Sequence, residues 1–499
     1  MSLERLVPAF VLLALLLYPQ IHALTSTYTS TAQQAGSDWW YGTIIIREDG
    51  SVDPPDAPVV REGNVYRLTK NVKYKHGAAI HGIIILRDNI VVDGAGHAIE
   101  GSNEEGSAGV YLASRRNVTL KNLNIQNFET GIYLHYSSSN VITNNTIIEN
   151  NRFGVYLYSS SGNVIAGNRI AGNNVSGIVL WESSGNVVAN NNIENSRGGV
   201  SLFHSSGNIV GGNVFVNSGL FVWDSYGNVV ENNTVNGKPL VYLEGVSGYT
   251  VTGEAGQVVL VKCTNIRVEG LTITNTDTAV LLWMTNNAVI ANNTIVGNNR
   301  HGIYLHYSSS NTIAGNRIVG NDWEGIYLRH SLNNTIADNN IENNREGIAL
   351  YYSSNNTITG NLVTGNRYGI IIYYSLHNLI YNNVFVNEVN AIVGEGDANY
   401  WSVKKAPSTN IVGGPYLGGN YWSSFSETCT DSDGDLICDQ PYVINSNNVD
   451  RYPLAKPRDF ATPMPVTPPI HLVSTTYVIG ALITTIVVVL AAFALKKLR

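Results

Sequence analysis

The chain has 499 residues, of which 44% are hydrophobic, and a formal net charge of −7. Charged residues make up only 13%, about half the ~25% of an ordinary soluble domain. A weakly charged, acidic chain offers no basic field to hold nucleic acid, and its hydrophobic content excludes a disordered polar polymer.

Residues 1–23 read as a secretory signal, because Arg5–Ala23 has a basic start, a short apolar core and a small residue at a cleavage point. A Ser/Thr-rich linker follows over 24–38. Residues 39–100 are expected to form an N-terminal cap and opening coils, as an open sheet edge needs against stray pairing.

Residues 101–400 are repetitive. The decapeptide GIYLHYSSSN occurs at Gly131–Asn140 and again at Gly302–Asn311. Its leading glycine recurs at Gly109, Gly154, Gly177, Gly199 and Gly219, then at Gly325, Gly347 and Gly369, so the twins are two rungs of a longer series. The closing asparagine returns at Asn163, Asn186, Asn208, Asn228, Asn334, Asn356 and Asn378, and a second asparagine column runs from Asn145 to Asn383. Short β-branched runs broken by Asn, Gly and Ser are strands joined by tight turns. Asparagine tolerates left-handed backbone at corners, and stacked copies bond one another in ladders. The predicted fold is therefore all-β, a right-handed parallel β-helix solenoid with about 22 residues per coil. About fourteen coils at ~4.8 Å per rung would make one rod about 60–70 Å long. Residues 237–262 break the register and are read as irregular coils within that rod.

Alternation along each strand sends Ile132 and Leu134 inward and Tyr133 and His135 outward. The outward column continues through Tyr158, Trp181, Phe203 and Trp223, and resumes at Trp283, His306, Arg329, Tyr351 and Tyr373. With Tyr133, Tyr156, Tyr304 and Tyr327 beside it, the stripe forms an expected exposed aromatic face. Such a face suits sugar rings or a partner's apolar surface; ring stacking from rung to rung accounts for it equally well. The adjoining column places Glu182, His204 and Asp224 in three consecutive coils, with the two carboxylates roughly 9–10 Å apart. That is near the upper limit for an inverting glycosidase pair and makes these three the candidate catalytic set, against a solvated polar turn.

Residues 401–455 form a C-terminal cap with an acidic loop. Asp431, Asp433, Asp435 and Asp439 alternate around Gly434 as in a calcium loop, though without the distant glutamate of an EF-hand. A plain acidic turn is the competing reading. Cys429 and Cys438 are close enough to close this loop as a disulfide, leaving Cys263 as a buried thiol. Three methionines and no clustered Cys or His leave no soft-ligand site for copper. Seven Asn-x-Ser/Thr sequons fall mostly at the corners. A Pro-rich stalk spans 456–473, and 474–495 is expected to be a transmembrane helix. Its 19 uncharged residues Tyr477–Leu495 match the ~30 Å hydrocarbon core, and the basic residues within 496–499 mark a cytoplasmic tail. The body is thus expected at the cell surface.

Several segments together resemble NosD-type proteins: Ile44–Val59, Ile90–Gly101, Gly418–Trp422, the DSDGD loop and Asp450–Leu454. These proteins belong to the wider carbohydrate-binding and sugar-hydrolase (CASH) β-helix group. The resemblance covers about residues 40–455 and implies the same solenoid. It further implies either glycan chemistry or an accessory role beside an ABC transporter in copper-enzyme maturation. The chain shows no Asp-Pro-His-Asp epimerase motif and no basic cluster beside stacked aspartates, as a pectate lyase would need. The sequence therefore reads as a membrane-anchored surface β-helix that binds glycan or a protein partner without catalysis. A polysaccharide hydrolase or lyase using Glu182, His204 and Asp224 is the alternative, and a NosD-like accessory protein the third reading.

Overall fold

A computed structural model describes residues 38–74, 80–394 and 396–456. The signal, nearly all of the linker, the stalk and the apolar stretch Tyr477–Leu495 lie outside the described residues. Among the described residues no helix is long and apolar enough to cross a membrane; the elements are all β-strands.

Each regular coil has one long strand and two short ones. Thr130–His135, Val141–Thr143 and Thr146–Ile148 make one such coil, and each pairs in parallel with its counterpart in the next. Register partners in most coils are 22 or 23 residues apart, as in Val110↔Ile132↔Val155↔Ile178, and 20 apart at the last coil of the first stack. The first residue of each inward pair is β-branched or leucine, so Ile132, Leu134, Ile142 and Ile147 close the interior with no exposure. Burial of each such side chain stabilises by about 1.5–3 kcal/mol. The glycine column follows from the tightness of the bend before the long strand. A Cβ on Gly154 would lie 2.5 Å from the Gly177 carbonyl and 2.7 Å from Ile170 Cγ2.

The corners are held by side-chain ladders along the stacking axis. Asn163 Oδ1 accepts both the backbone N–H of Asn140 at 2.9 Å and its Nδ2 at 3.0 Å, while Asn163 Nδ2 donates to the Ser137 carbonyl. The predicted columns from Asn140 and Asn145 both form such ladders. A third, unpredicted asparagine ladder runs Asn298, Asn321, Asn344, Asn366, and a serine ladder runs Ser137, Ser160, Ser183, Ser205, Ser225. These amides and hydroxyls are nearly or fully buried, and the pairing removes the desolvation cost they would otherwise carry.

The single rod does not form. Thr234–Val235 and Lys238–Pro239 pair antiparallel across Asn236-Gly237, whose φ angles of 50° and 78° are both left-handed. This is a two-residue Asn-Gly hairpin of the type I′ kind. It reverses the chain and starts a second stack, in which Lys238–Glu244 becomes the first long strand. One sheet therefore runs from a short-strand face of the first stack into the long-strand face of the second. Residues 237–262 are the changeover, and rungs cannot be counted through them.

The reversal brings the two long-strand faces together at one end. Phe221 stacks on Tyr304 with ring centroids 6.1 Å apart, Trp223 meets His306 edge-on at 4.7 Å, and the Arg329 guanidinium lies 4.5 Å over Trp223. Buried Gln257 exchanges two 2.8 Å hydrogen bonds with the backbone of Leu220, which satisfies the last long strand of the first stack. The two hydrophobic interiors stay distinct, but the first cluster extends outward through Phe221 to Leu281, Trp283 and Tyr304 of the second stack.

Candidate functional site

The predicted aromatic face divides in two. In the first stack Tyr133, His135, Tyr156, Tyr158, Trp181, Phe203 and Trp223 are half-buried on the outer face. In the second, Tyr327, Arg329, Tyr351 and Tyr373 are half-buried, but Trp283, Tyr304 and His306 are only 1–2% exposed. Those three are corrections to the expected surface. The last coil of the first stack covers Tyr304 and His306, and Tyr226 and Lys262 cover Trp283.

A hollow opens on the first stack beside this junction. The middle outward column reads Tyr133, Tyr156, Val179, Ser201, Phe221 in successive rungs. Small side chains between large ones leave a cavity of ≈ 350 Å³, floored by Val179 and Ser201 and walled by Tyr156, Trp181, Phe203 and Arg300. Arg300 reaches in from the second stack. Its side chain is 9% exposed, it lies 4.7 Å over Phe221, and it faces the fully buried Asp277 at 3.6 Å. Burial pushes the Asp277 carboxyl up, and Arg300 and His301 oppose that shift.

Glu182, His204 and Asp224 do line up on one edge, each at the left-handed residue that ends a long strand (φ 49°, 48° and 46°). All three are exposed. His204 Nδ1 is 3.0 Å from Asp224 Oδ2, while Glu182 Oε2 accepts a 3.2 Å hydrogen bond from Ser159. In the second stack the same edge carries Tyr307, His330, Tyr352 and Tyr374, whose rings stack at 4.8 Å intervals with planes within 13°. Each inner ring has both faces occupied by neighbours, so this ladder presents edges and hydroxyls to solvent.

A further column was not singled out from the sequence. The residue just before the glycine column in the second stack is His301, Glu324, Glu346 and then Tyr368, and Glu324↔Glu346↔Tyr368 are register partners. His301 Nδ1 and Glu324 Oε2 are 2.5 Å apart, and Glu346 Oε2 is buried without a hydrogen-bond partner. Burial first and the Glu324 carboxylate second push Glu346 up to about 7. The signal was present as HG, EG and EG in three successive coils.

In the C-terminal cap, Cys429 and Cys438 form the expected disulfide, with Cα atoms 5.3 Å apart, and Cys263 is a free, buried thiol. Ligand atoms of Asp431, Asp433 and Asp435 converge within 4.8 Å. Asp439 turns away to accept from Thr430 and Ser432. Lys405 pairs with Asp435 and lies 3.8 Å from Asp433, and Asp431 accepts three backbone N–H groups.

Residues 219–427 match the family described as Periplasmic copper-binding protein (NosD), and residues 81–235 match the Right handed beta helix region. The chain is a parallel β-helix that resembles NosD over those residues. No curated protein matches the chain. Solved structures similar to it include the periplasmic alginate epimerase AlgG at 16% identity and a TM-score of 0.27, covering 68% of each chain. The A-module of the Azotobacter vinelandii mannuronan C-5 epimerase AlgE6 is similar at 18% identity and a TM-score of 0.30, over 67% of this chain and 86% of that one. The catalytic domain of a GH87 alpha-1,3-glucanase is similar at 15% and 0.34, over 65% and 63%.

Proposed function

We propose that the protein binds a glycan chain across the outer face of the first stack, without catalysis at that groove. The observation that carries this reading is the hollow itself. Two rungs with small residues sit between aromatic rungs, beside a junction that contributes a guanidinium. A concave site with aromatic walls and few polar groups is how ligand sites are usually built, and tryptophan and tyrosine offer sugars flat faces with a polar handle. Arg300 and Arg152 supply donors for hydroxyl or carboxylate oxygens. In this reading the leader exports the chain and the apolar C-terminal stretch tethers it at the cell surface.

A glycan array probed with the full chain tests it. Retention of a defined glycan class is expected, with Trp181→Ala weakening it at least tenfold and Tyr374→Ala, in the second stack, leaving it unchanged. Equal retention by wild type and Trp181→Ala would remove the groove from the account.

Copper, which the family description names, does not fit the donor set. The converging ligand group among the described residues is oxygen-only, and Cys263 is enclosed and hydrogen-bonded to the Leu243 and Val261 carbonyls. Soft ligands select copper, and oxygen ligands select calcium or magnesium. Calcium at Asp431, Asp433 and Asp435 is proposed in competition with Lys405. Added calcium should raise the thermal midpoint of Lys405→Ala more than that of wild type.

A further inference from the structure

The two stacks are joined along one seam by side chains that serve backbone groups across it. Asn299 Nδ2 donates to the Arg197 and Asn217 carbonyls at 3.1 and 2.8 Å, and Thr276 Oγ1 donates to the Ser218 carbonyl at 3.2 Å. Asn236, the first turn residue of the hairpin, completes the seam. Its Oδ1 accepts the backbone N–H of Asn217 in the first stack at 2.9 Å, and its Nδ2 donates to the Thr274 and Asn275 carbonyls of the second at 3.0 and 2.9 Å. One side-chain amide thus takes a bond from one stack and gives two to the other.

The same amide sits where asparagine is most easily lost. Asn236-Gly237 is the one Asn-Gly pair in the 499 residues, and both residues are exposed to water. Glycine has no side chain to shield its backbone nitrogen, so that nitrogen can attack the amide carbon of a preceding asparagine. In the closed seam the attack is held back. An amide that serves three backbone groups cannot swing its Cγ onto the Gly237 nitrogen without breaking those bonds. The paired strands on either side also hold the two turn residues at φ of 50° and 78°.

We infer that Asn236 is a deamidation site that acts as a one-way latch between the stacks: its amide survives while the seam is closed and is lost once the seam opens. The Gly237 nitrogen attacks Asn236 Cγ, the Cγ–Nδ2 bond breaks, and ammonia leaves with the proton from the attacking nitrogen, closing a cyclic imide. Water then adds to either imide carbonyl, and the bond from that carbon to the ring nitrogen breaks, leaving aspartate or isoaspartate. One water is consumed and one ammonia released, with nothing oxidised or reduced. Neither product re-forms the seam. An aspartate carboxylate still accepts from Asn217, but it has no proton to give and sets an acceptor against the Thr274 and Asn275 carbonyls. Isoaspartate lengthens the backbone of a two-residue turn that has to match the twist of its strands.

The full chain and its Asn299→Ala variant are held at mildly alkaline pH, wild type with and without denaturing urea. Loss of the Asn236 amide is followed by peptide mass mapping, and the modified chain is separated and melted. Expected is conversion about tenfold or more faster in urea than in the folded chain, because the folded reaction must wait for local opening. Asn299→Ala, which removes the neighbouring bonds of the seam, should speed conversion in the folded chain. The modified chain should melt below the unmodified one, and Asn236→Asp below Asn236→Ala, since alanine leaves a gap where the carboxylate adds repulsion. If Asn236→Asp does not fold, the aged wild type supplies the comparison. Equal rates with and without urea, or no acceleration in Asn299→Ala, mean that the seam does not guard the amide and overturn the proposal. Equal melting of modified and unmodified chains, or Asn236→Asp melting at or above Asn236→Ala, overturns it as well.

Discussion

Asn163 shows how one residue type holds this molecule together. Its carbonyl oxygen takes two donors from Asn140 and its amide serves Ser137. Asn163→Ala leaves at least one buried donor unpaired, so a loss of about 1–3 kcal/mol is expected, read as a lower urea midpoint. Asn163→Asp should cost more, because an ionised carboxylate cannot donate to Ser137. At Glu346 the expected effect is on pH. Its folded value near 7 lies above the ordinary glutamate value, so the folded state binds more protons between roughly pH 4.5 and 7. That contribution is fully present below the unfolded value and is lost as pH rises through about 7. Glu324 raises the shift and Arg345 opposes it. Asp450, pushed to about 7 by burial, acts with the same sign. Thermal midpoints of Glu346→Gln should therefore fall less steeply than wild type across this window; parallel curves would refute the assignment.

The coil is the element, and its inner side was legible. Isoleucine, valine and leucine columns, glycine before the long strand and asparagine at two corners are local demands repeated often enough to be seen. Gly154→Ala should cost about 1–3 kcal/mol through overpacking, because the added carbon meets the Gly177 carbonyl at 2.5 Å; hydrogen exchange should quicken first in the two adjoining long strands. The Asn236-Gly237 turn was equally local, yet it straddled the start of a stretch read as irregular coil. A two-residue Asn-Gly loop between β-branched runs is a hairpin signal in its own right. It was masked because a parallel solenoid otherwise has no hairpins in its body. Gly237→Val should destabilise the changeover, since a β-branched residue resists φ of 78°.

Among the described residues the consequence is two stacks that meet through their long-strand faces where one rod was expected. Outward residues such as Tyr304 and His306 then became buried, and His306 is pushed down to about 3 by that burial. Phe221 is the wedge of the junction, 4% exposed between Phe203, Tyr304 and Arg300. Phe221→Ala should cost about 3–5 kcal/mol. Because stability in stacked repeats is shared among neighbours, the loss should appear as separate unfolding of the two stacks by calorimetry, where a single transition is expected of wild type. A single transition in the variant would mean that the stacks are coupled mainly through the shared sheet.

The sequence by itself determined the coil: its period, its inward columns and the asparagine corners, because each depends on contacts between residues one lap apart that recur in fixed register. It also determined the disulfide, which closes a loop of only a few residues. Tertiary structure alone decided which outward residues remain a surface, because that depends on the reversal at Asn236-Gly237 and on the other stack it brings into contact. The hollow and the Glu324–Glu346 column gain meaning only there. Side chains that look alike in a column differ in burial, partners and proton affinity according to what lies across the junction.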